Sequence, residues 1–297
     1  MNRRQFISRS ASALALSSLA GHQAFASIAP APNKGRIGIQ LYSLRKELPE
    51  DFLGTLKKVS EMGYSQIEPY GFTTDKFFDY TMKELSKIVE DMGMIITSTH
   101  TSSRMLGEDI NAPEWDFWKT RAEYLLSGGG KYAIQSSFPG GNRNITLDQL
   151  KRIVDFFNRA GEVCKKGGIK FGYHNHYEEL AKFEGEVILE YLIKNTDPDL
   201  VFFQFDMGHV TNGGGDCLQL LRTYPKRIPL WHASDYNIAN KSYSQLGQGN
   251  VPYPAMFEIA ESSGLEILTM EQETETNALE ACRIDFNYLK QFKWTGV

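Results

Sequence analysis

Five of the six histidines in this 297-residue sequence stand at or just after the end of a short apolar segment. They are His100, His174, His176, His209 and His232. Glu68, Asp206 and Glu271 occupy the same kind of position. Imidazole and carboxylate groups that share one cavity are the ligands of divalent ions such as Mn²⁺, Zn²⁺, Co²⁺ or Fe²⁺. Three or four such ligands that leave room for water or substrate are typical of a catalytic metal site.

The candidate metal ligands come from the ends of four successive apolar segments. One of His174 and His176 would join Asp206, His232 and Glu271 in a single site. Taken singly, these residues have structural alternatives, since Asp206 could cap the following turn and His232 could be a hydrogen-bonded interior histidine. As a set they favour a metal, because clustered buried charges require pairing or a cation.

Motifs for other common chemistries are missing or incomplete. Lys131 follows three glycines, but Tyr132 stands where a phosphate-binding loop requires Ser or Thr. Gly247-Gln248-Gly249 continues to Pro252 and lacks the third glycine of a dinucleotide fingerprint. A Gly-x-Ser-x-Gly nucleophile elbow is absent from the sequence. These observations leave the histidine and carboxylate set as the chemistry to explain.

The elements that must position this set alternate regularly along the chain. Strands are predicted near 37–41, 64–68, 94–99, 132–136, 170–174, 201–206, 228–232 and 266–271, and helices near 50–62, 81–92, 113–126, 146–166, 185–195, 216–224, 253–263 and 277–291. Eight β-then-α units in about 260 residues predict an α/β fold, a (β/α)8 TIM barrel with a single domain over residues 36–297. A doubly wound open sheet is the structural alternative, and it usually has fewer units.

Side-chain parity along the strands predicts where the polar residues face. Ile39, Phe203 and Met270 share the parity that should face the helices. The other parity contains Glu68, His100, His174, His176, Asp206, His232 and Glu271, and it should face the barrel interior. Because TIM-barrel active sites are built at the carboxyl ends of the strands, this parity predicts one active-site mouth.

The N-terminal residues 1–26 are predicted to be an export signal. Arg3 and Arg4 precede a short apolar run, and Ala24-Phe25-Ala26 has the small-x-small pattern of a cleavage site. The arginine pair followed by Gln-Phe-Ile resembles a twin-arginine (Tat) signal, which predicts a periplasmic protein. Residues 27–35 would be a linker. Removal of residues 1–26 leaves 29 basic against 36 acidic residues, a net charge of −7 instead of −4.

The overall composition excludes several classes of protein. Apolar residues make up 41% and charged residues 23%, which is ordinary for a globular chain and excludes a disordered, collagen-like or multi-span membrane protein. An acidic chain offers no bulk basic field, so no nucleic-acid partner is expected, and no membrane association is expected after signal cleavage. Three distant cysteines do not suggest a disulfide framework.

Segments along nearly the whole mature chain resemble the xylose-isomerase-like superfamily of sugar isomerases and epimerases. They are Gly38–Arg45, Gly63–Glu68, Tyr173–His176 with Glu179, Phe205-Asp206, Leu230–Asp235 and Met270–Glu273. The resemblance implies a TIM barrel, a carbohydrate or polyol substrate and a divalent metal, with Mn²⁺ or Zn²⁺ as first candidates and cobalt, iron or magnesium as alternatives. The epimerases of this family bind metal through Glu, Asp, His and Glu, and Asp206, His232 and Glu271 match the last three positions.

The first glutamate of that pattern has no match, because the fifth strand ends in His174-Asn175-His176. The epimerases use two opposed carboxylates, of which Glu271 alone is clearly present here. A histidine could replace the missing base, since its pKa lies near neutrality. A His-x-His fifth strand resembles the inosose-dehydratase branch, which eliminates water from a keto-polyol. Proton abstraction next to a carbonyl is the shared step.

The sequence thus predicts a metal-dependent isomerase or epimerase that acts on a sugar or keto-sugar. His176 (or His174), Asp206, His232 and Glu271 would bind the metal, and Glu271, His174 and His176 are the candidate catalytic residues. Substrate hydroxyls would contact Glu68, His100, His209 and Asp235.

Several alternatives remain open at this stage. They are a lyase or dehydratase acting on a keto-sugar, keto-glycoside or keto-polyol, a non-catalytic sugar-binding barrel, and a nuclease resembling the endonuclease IV branch. The acidic charge argues against the nuclease. The sequence leaves open whether the protein is a homo-oligomer.

Overall fold

The computed structural model describes residues 35–71, 75–139, 145–273 and 277–295. Residues 34–297 form one compact unit in which parallel strands alternate with helices, as predicted for a single-domain (β/α)8 TIM barrel. The predicted signal (1–26) and nearly all of the predicted linker (27–35) lie outside the described residues. Within the described segments, no helix combines the length and apolar character that a bilayer crossing requires.

The barrel is a ring of parallel strands. Its third strand closes the ring, because each of the two segments of that strand pairs with a different neighbour. In chain order the strands are Ile37–Gln40, Gln66–Glu68, a third in two segments (Ile95–Ile96 and Ser98–Thr101), Tyr132–Gln135, Lys170–His174, Val201–Asp206, Leu230–Ala233 and Ile267–Met270. Ile95–Ile96 pairs with the second strand and Ser98–Thr101 with the fourth, while the first strand pairs with the eighth. The chain itself, at Thr97, therefore completes the ring.

Helices follow the strands in the predicted order. The α-helices are Phe52–Met62, Met82–Asp91, Asp116–Ser127, Leu147–Lys166, Ile188–Asn195, Met207–Asn212, Cys217–Thr223, Tyr253–Glu258, Ala260–Ser263 and Ala278–Leu289. Thr81 with Glu84, and Thr146 with Gln149, form capping boxes that start two of them. Gly63 ends the first helix in the left-handed conformation, at φ 108°, which residues other than glycine rarely adopt.

Some elements differ from the prediction for local reasons. The predicted helix 185–195 begins at Ile188, because Glu186–Val187 pairs with Lys182–Phe183 in an antiparallel hairpin. The predicted helix 253–263 is divided into two at Ile259. Helix Met207–Asn212, which the Asp206 side chain caps, was not predicted, because six residues are too few to show a helical period.

The core follows the predicted parity. Ile39, Phe203 and Met270 belong to the large apolar layer that includes the helix side chains, and Trp231, whose parity faces the helices, packs on Phe257 with ring centroids 5.8 Å apart. A separate small apolar cluster fills the barrel interior near the beginnings of the strands, formed by Tyr132, Ile134, Leu230 and Ile267. The interior positions nearer the carboxyl ends are polar, and they form the site.

Candidate metal centre and active site

Four residues from successive strand ends form a compact group of potential metal ligands. They are His174, Asp206, His232 and Glu271, and one ligand atom from each lies within 4.8 Å of the others. All four are buried, with at most 5% of their surface exposed. The first three end or lie near the end of the fifth, sixth and seventh strands, and Glu271 directly follows the eighth. Convergence of these strand ends is what the barrel contributes to the site.

Asp206 provides the test of whether this group fits a metal. Its Oδ1 accepts hydrogen bonds from the His209 amide at 2.7 Å and from Ser234 Oγ at 2.5 Å. Its Oδ2 is buried and has no hydrogen-bond partner among the described residues. Burial and the nearby Glu271 raise the pKa of Asp206 above its usual value. An unpartnered carboxylate oxygen amid imidazoles and a second carboxylate fits a divalent cation.

His232 lies between two carboxylates. Its Nδ1 is 2.8 Å from Glu271 Oε2, and its Nε2 is 2.7 Å from Glu68 Oε1. Burial lowers the pKa of His232, but the two carboxylates outweigh burial and raise it to about 10. For Glu271 the two effects have the opposite sign. Burial raises the pKa of Glu271, but the hydrogen bond and the charge of His232 outweigh burial and lower it overall. In the absence of a metal, the three groups therefore form a buried charged triad.

His174 has the opposite electrostatic environment. Its Nδ1 lies 3.1 Å from Gln204 Oε1, and its ring contacts those of His100 and His232. Burial and these neighbouring imidazoles lower the pKa of His174 well below its usual value. His174 is therefore neutral, which is the form that binds a metal.

His176 lies apart from the four-residue group. It clusters instead with His174 and His209, with the His176 and His209 rings 4.7 Å apart. The Glu179 carboxylate accepts a hydrogen bond from the His176 amide at 3.1 Å, which fixes the turn after the strand. Burial and His209 lower the pKa of His176 to about 4. The sequence did not decide which of His174 and His176 would bind the metal. In the structure, His174 is the one that lies with the other three potential ligands.

Glu68 and Asp235 lie where a substrate has little access to them. Glu68 has no exposed surface, and burial is outweighed by His100, His232 and hydrogen bonds that lower its pKa to about 2. The Asp235 carboxylate accepts from the amides of Tyr236, Gly247, Gly249 and Val251 at 2.9–3.1 Å. This placement favours a structural role for Asp235, and the substrate contacts expected of both residues remain predictions.

His100 and His209 lie closer to the mouth than Glu68 does. The His100 ring stacks on that of His232, 5.0 Å between centroids, and His100 lines the cavity described next. His209 forms a hydrogen bond through Nδ1 with the Tyr243 hydroxyl, and its Nε2 lies 3.8 Å from Glu273 Oε1. His100 is positioned for the substrate contact that the sequence predicts, whereas His209 does not belong to the lining of that cavity, and both contacts remain predictions.

A cavity of about 310 Å³ opens above the group. Its lining consists of Tyr42, Tyr70, Gly71, His100, Ser136, His174, His176, Glu271 and Glu273. Tyr42 and Tyr70 meet edge to face at 5.2 Å and form an aromatic wall. Sequence reasoning did not single out Tyr42, Tyr70, Ser136 or Glu273 as site residues. Parity could have found two of them, since Tyr42 and Glu273 follow Gln40 and Glu271 by two residues.

Glu273 has an unusual electrostatic environment at the mouth. Burial, followed by the charges of Glu271 and Asp206, raises the pKa of Glu273 to about 8. The described lining residues include no lysine or arginine. The cavity therefore offers imidazole, carboxyl, hydroxyl and aromatic groups to a ligand, and no cationic group within its lining.

A (β/α)8 barrel with a His, Asp and Glu cluster at the carboxyl ends of its strands defines a class of TIM-barrel proteins with a candidate metal centre. A family model described as xylose isomerase-like TIM barrel matches residues 56–292. The chain therefore belongs to the xylose isomerase-like TIM-barrel family, a family of sugar-processing enzymes.

Curated relatives of this chain include inosose dehydratases from several bacteria. The protein from Clostridium perfringens is 23% identical over 266 residues, which cover 78% of this chain and 88% of the relative. The protein from Geobacillus kaustophilus is 26% identical over 193 residues, 61% of this chain and 60% of the relative. The chain thus matches less than two thirds of the length of the second relative.

Solved structures share the fold. A sugar phosphate isomerase/epimerase from Parabacteroides distasonis superimposes with a TM-score of 0.76 at 29% identity, covering 88% of this chain and 96% of that one. A structure described as the IolI protein with a binding zinc atom gives a TM-score of 0.67 at 14% identity, covering 88% of this chain and all of that one. The second likeness concerns the fold alone.

Proposed function

We propose that this protein is a divalent-metal-dependent enzyme that removes a proton next to the carbonyl of a sugar or keto-sugar, with isomerisation or epimerisation as the outcome. The observation that carries the proposal is the buried group of His174, Asp206, His232 and Glu271, in which one Asp206 oxygen has no partner among the described residues. His174 and Glu271 also line the cavity, so the same group faces a bound ligand.

His174, Asp206, His232 and Glu271 would hold the metal. Two imidazoles and two carboxylates suit a borderline ion, so Zn²⁺ and Mn²⁺ are the first candidates, with cobalt, iron and magnesium as alternatives. When bound, the ion would supply a positive charge that polarises a carbonyl oxygen.

Glu271 and His176 would move the proton. The pKa of Glu271 is lowered, so this carboxylate is ionised and can accept a proton at the cavity wall. His176 is neutral above pH about 4, lies outside the four-residue group and lines the cavity, so its ring can accept or return a proton there. With His174 in the ligand group, its catalytic part would be to bind the metal.

An unphosphorylated carbohydrate is the substrate class that the cavity favours. Its volume of about 310 Å³ is at the lower end of small-molecule sites, which suits a monosaccharide-sized ligand. The described lining contains hydrogen-bonding groups but no lysine or arginine to neutralise a phosphate. The aromatic wall of Tyr42 and Tyr70 can pack against the apolar face of a sugar ring.

Elimination of water is the second candidate outcome. The curated relatives that are named inosose dehydratases favour it. The histidine in place of the first carboxylate of the epimerase pattern also favours it, because an elimination does not require a second carboxylate on the opposite face of the substrate.

Metal analysis combined with a screen of sugars and keto-sugars in D₂O tests the proposal. We expect about one equivalent of metal and deuterium at a carbon next to a carbonyl, and the product seen by NMR distinguishes an isomer from a dehydrated compound. A metal-free protein that binds sugars without any exchange would instead be a non-catalytic sugar-binding barrel. Cleavage of abasic DNA would revive the nuclease alternative.

We also propose export to the periplasm through the twin-arginine route, supported by Arg3, Arg4 and the small-x-small site at residues 24–26. The double change Arg3→Lys and Arg4→Lys is expected to retain the protein in the cytoplasm. Fractionation of cells that express the full chain checks this, and unchanged export of the variant would contradict the route.

A further inference from the structure

One carboxylate lies at the centre of the barrel interior, below the cavity. Glu68 has no exposed surface; four side chains donate hydrogen bonds to it, and His100 Nε2 lies 3.1 Å from its Oε1. Its Oε1 accepts from Gln40 Nε2 and from His232 Nε2, both at 2.7 Å. Its Oε2 accepts from Ser98 Oγ and from Gln204 Nε2, the latter at 2.9 Å. Both oxygens are thus fully used within the protein.

The bond to His232 selects the ring nitrogen that faces the metal ligands. A carboxylate accepts and does not donate, so Nε2 of His232 carries its hydrogen toward Glu68. Nδ1 lies 2.8 Å from Glu271 Oε2 and donates its own hydrogen to that carboxylate in the metal-free protein. Because Nε2 stays bonded to Glu68, Nδ1 is the nitrogen that would give up its hydrogen to a metal. A histidine that binds a metal through one nitrogen usually donates the other N–H to a carboxylate, a carbonyl or water, which fixes its tautomer.

Gln204 forms hydrogen bonds with both Glu68 and His174, so Glu68 also determines which nitrogen of His174 carries the hydrogen. Its amide nitrogen donates to Glu68 Oε2, so its amide oxygen must point the other way. That oxygen lies 3.1 Å from His174 Nδ1 and 2.7 Å from His100 Nε2. Because an amide oxygen also only accepts, His174 carries its hydrogen on Nδ1, which leaves the lone pair of Nε2 for a ligand.

We infer that Glu68 is a positioning residue that fixes the tautomers of both histidine ligands, His232 directly and His174 through Gln204. This inference rests on the proposed metal site but not on the reaction that the site performs. It assigns to Glu68 a role below the substrate cavity, in place of a contact with substrate hydroxyls.

The change Glu68→Gln tests this role with little change of shape. A glutamine has one accepting oxygen and one donating amide, so it cannot accept from all four neighbours. Depending on which way the new amide faces, either His232 or Gln204 loses its acceptor, and a Gln204 amide that turns over presents N–H groups to His174. We expect Zn²⁺ affinity to fall by about 10- to 100-fold.

Two measurements on the full chain follow the two parts of the inference. Competition with a chromophoric chelator measures Zn²⁺ affinity. ¹⁵N NMR of the histidine rings reports the tautomer of His174 in the metal-free protein and that of His232 in the Zn²⁺-bound protein, since metal-free His232 is protonated at both nitrogens. Asp285→Asn is the matched control, because Asp285 is also fully buried and hydrogen-bonded but lies outside this network. The control should bind Zn²⁺ like the wild type.

The double variant Glu68→Gln with Gln204→Glu tests the relay by exchanging its two members. The carboxylate introduced at position 204 would accept from His174 Nδ1 and from the amide introduced at position 68. The amide oxygen at position 68 would then accept from His232. We therefore expect Zn²⁺ affinity to recover to within several-fold of the wild type. A carboxylate with a merely structural role predicts no such recovery.

The outcomes separate this inference from the proposed function. If the wild type binds Zn²⁺ and Glu68→Gln binds it within twofold with unchanged tautomers, the inference is overturned and the metal site stands. If the wild type binds no Zn²⁺, both fall. If Glu68→Gln does not fold, Gln204→Met tests the His174 relay alone, where weaker Zn²⁺ binding is expected and unchanged binding overturns the relay.

Discussion

At the scale of single residues, Asp206 serves the chain and the site together. Its Oδ1 caps helix Met207–Asn212 through the His209 amide, and its Oδ2 remains buried without a partner among the described residues. Burial of an unpaired carboxylate oxygen costs free energy, because the lost hydration is not replaced. The folded barrel therefore favours a cation next to Asp206 Oδ2. Removal of the Asp206 charge is expected to stabilise the metal-free protein and to remove the stabilisation that a bound metal provides.

Asp206→Asn keeps an oxygen for the helix cap and removes the negative charge. We expect the free energy of unfolding of the metal-free variant to equal that of the metal-free wild type or to exceed it by up to about 2 kcal/mol, because the variant has no uncompensated buried charge at this position. Added Zn²⁺ should raise the melting temperature of the wild type through mass action but not that of the variant. Thermal unfolding with and without Zn²⁺ checks both effects, and an equal rise for the two proteins contradicts the ligand assignment.

His174→Gln and His176→Gln form a matched pair, since the two histidines are two residues apart. His174 belongs to the four-residue group, so its variant should lose Zn²⁺ affinity by about 100-fold or more, on the order of a whole ligand. His176→Gln should keep the metal and lose about 100-fold in proton exchange, the usual contribution of a positioned acid or base. Chelator competition and deuterium exchange measure the two quantities, and the reverse pattern would exchange their roles.

At the scale of elements, the loop after the seventh strand is organised around Asp235. Four backbone amides, those of Tyr236, Gly247, Gly249 and Val251, donate to its carboxylate. A Cβ on Gly249 would lie 2.1 Å from Asp235 Oδ1, so glycine is required for this close approach. The same loop carries the hairpin of Asp235–Asn237 and Ser242–Ser244, which brings Tyr243 to His209.

Asp235→Ala should therefore loosen this whole loop. Removal of a buried carboxylate that accepts four hydrogen bonds leaves several amides unsatisfied, and we expect a loss of about 3 kcal/mol in the free energy of unfolding. Asp216→Ala is the control, because Asp216 caps helix Cys217–Thr223 at a more exposed position and its removal should cost about 1 kcal/mol. Urea denaturation measures both, and equal losses would mean that Asp235 does not organise the loop.

At the scale of the whole molecule, hydrogen bonds connect the last α-helix to segments at both the carboxyl and the amino ends of the barrel strands. Asp285, on helix Ala278–Leu289, accepts from the Leu246 amide at 2.8 Å and from Gln272 Nε2 at 2.6 Å. From the same helix, the Cys282 carbonyl accepts a hydrogen bond from the Tyr64 hydroxyl at 2.7 Å. Burial raises the pKa of Asp285 from 3.8 to about 6, although its hydrogen bonds oppose this.

The raised pKa of Asp285 predicts a specific dependence of stability on pH. The folded chain holds this proton more tightly than the unfolded chain, so the contribution to stability is complete below pH about 4 and is lost as the pH rises through about 6. Asp285→Asn stays neutral, and between pH about 4 and about 7 its stability relative to the wild type should rise by up to about 3 kcal/mol. Urea denaturation across this range is the measurement, and a difference that does not change with pH would refute it.

Local sequence patterns were sufficient for the order of elements and for the inward-facing residues. The β-then-α alternation and the period of two along a strand depend on neighbouring residues only, so Gln204, Asp206 and His232 could be assigned to the interior before any contact was known. The capping boxes at Thr81 and Thr146 likewise place helix starts from four residues. Pairs of two-residue strands, such as Lys182–Phe183 with Glu186–Val187, are too short to carry a period and were not predicted.

The tertiary structure alone decided depth and partnership within the barrel. His174 and His176 share one parity in the sequence, yet His174 lies with Asp206, His232 and Glu271 while His176 lies beside His209. Glu68 has the same inward parity, and it ends a strand, but the barrel places it below the cavity under His232. Parity determines only which way a side chain points. Its height and its neighbours depend on the pairing register of strands far apart in sequence and on the loops that fold back over them, and the local sequence does not contain these distances.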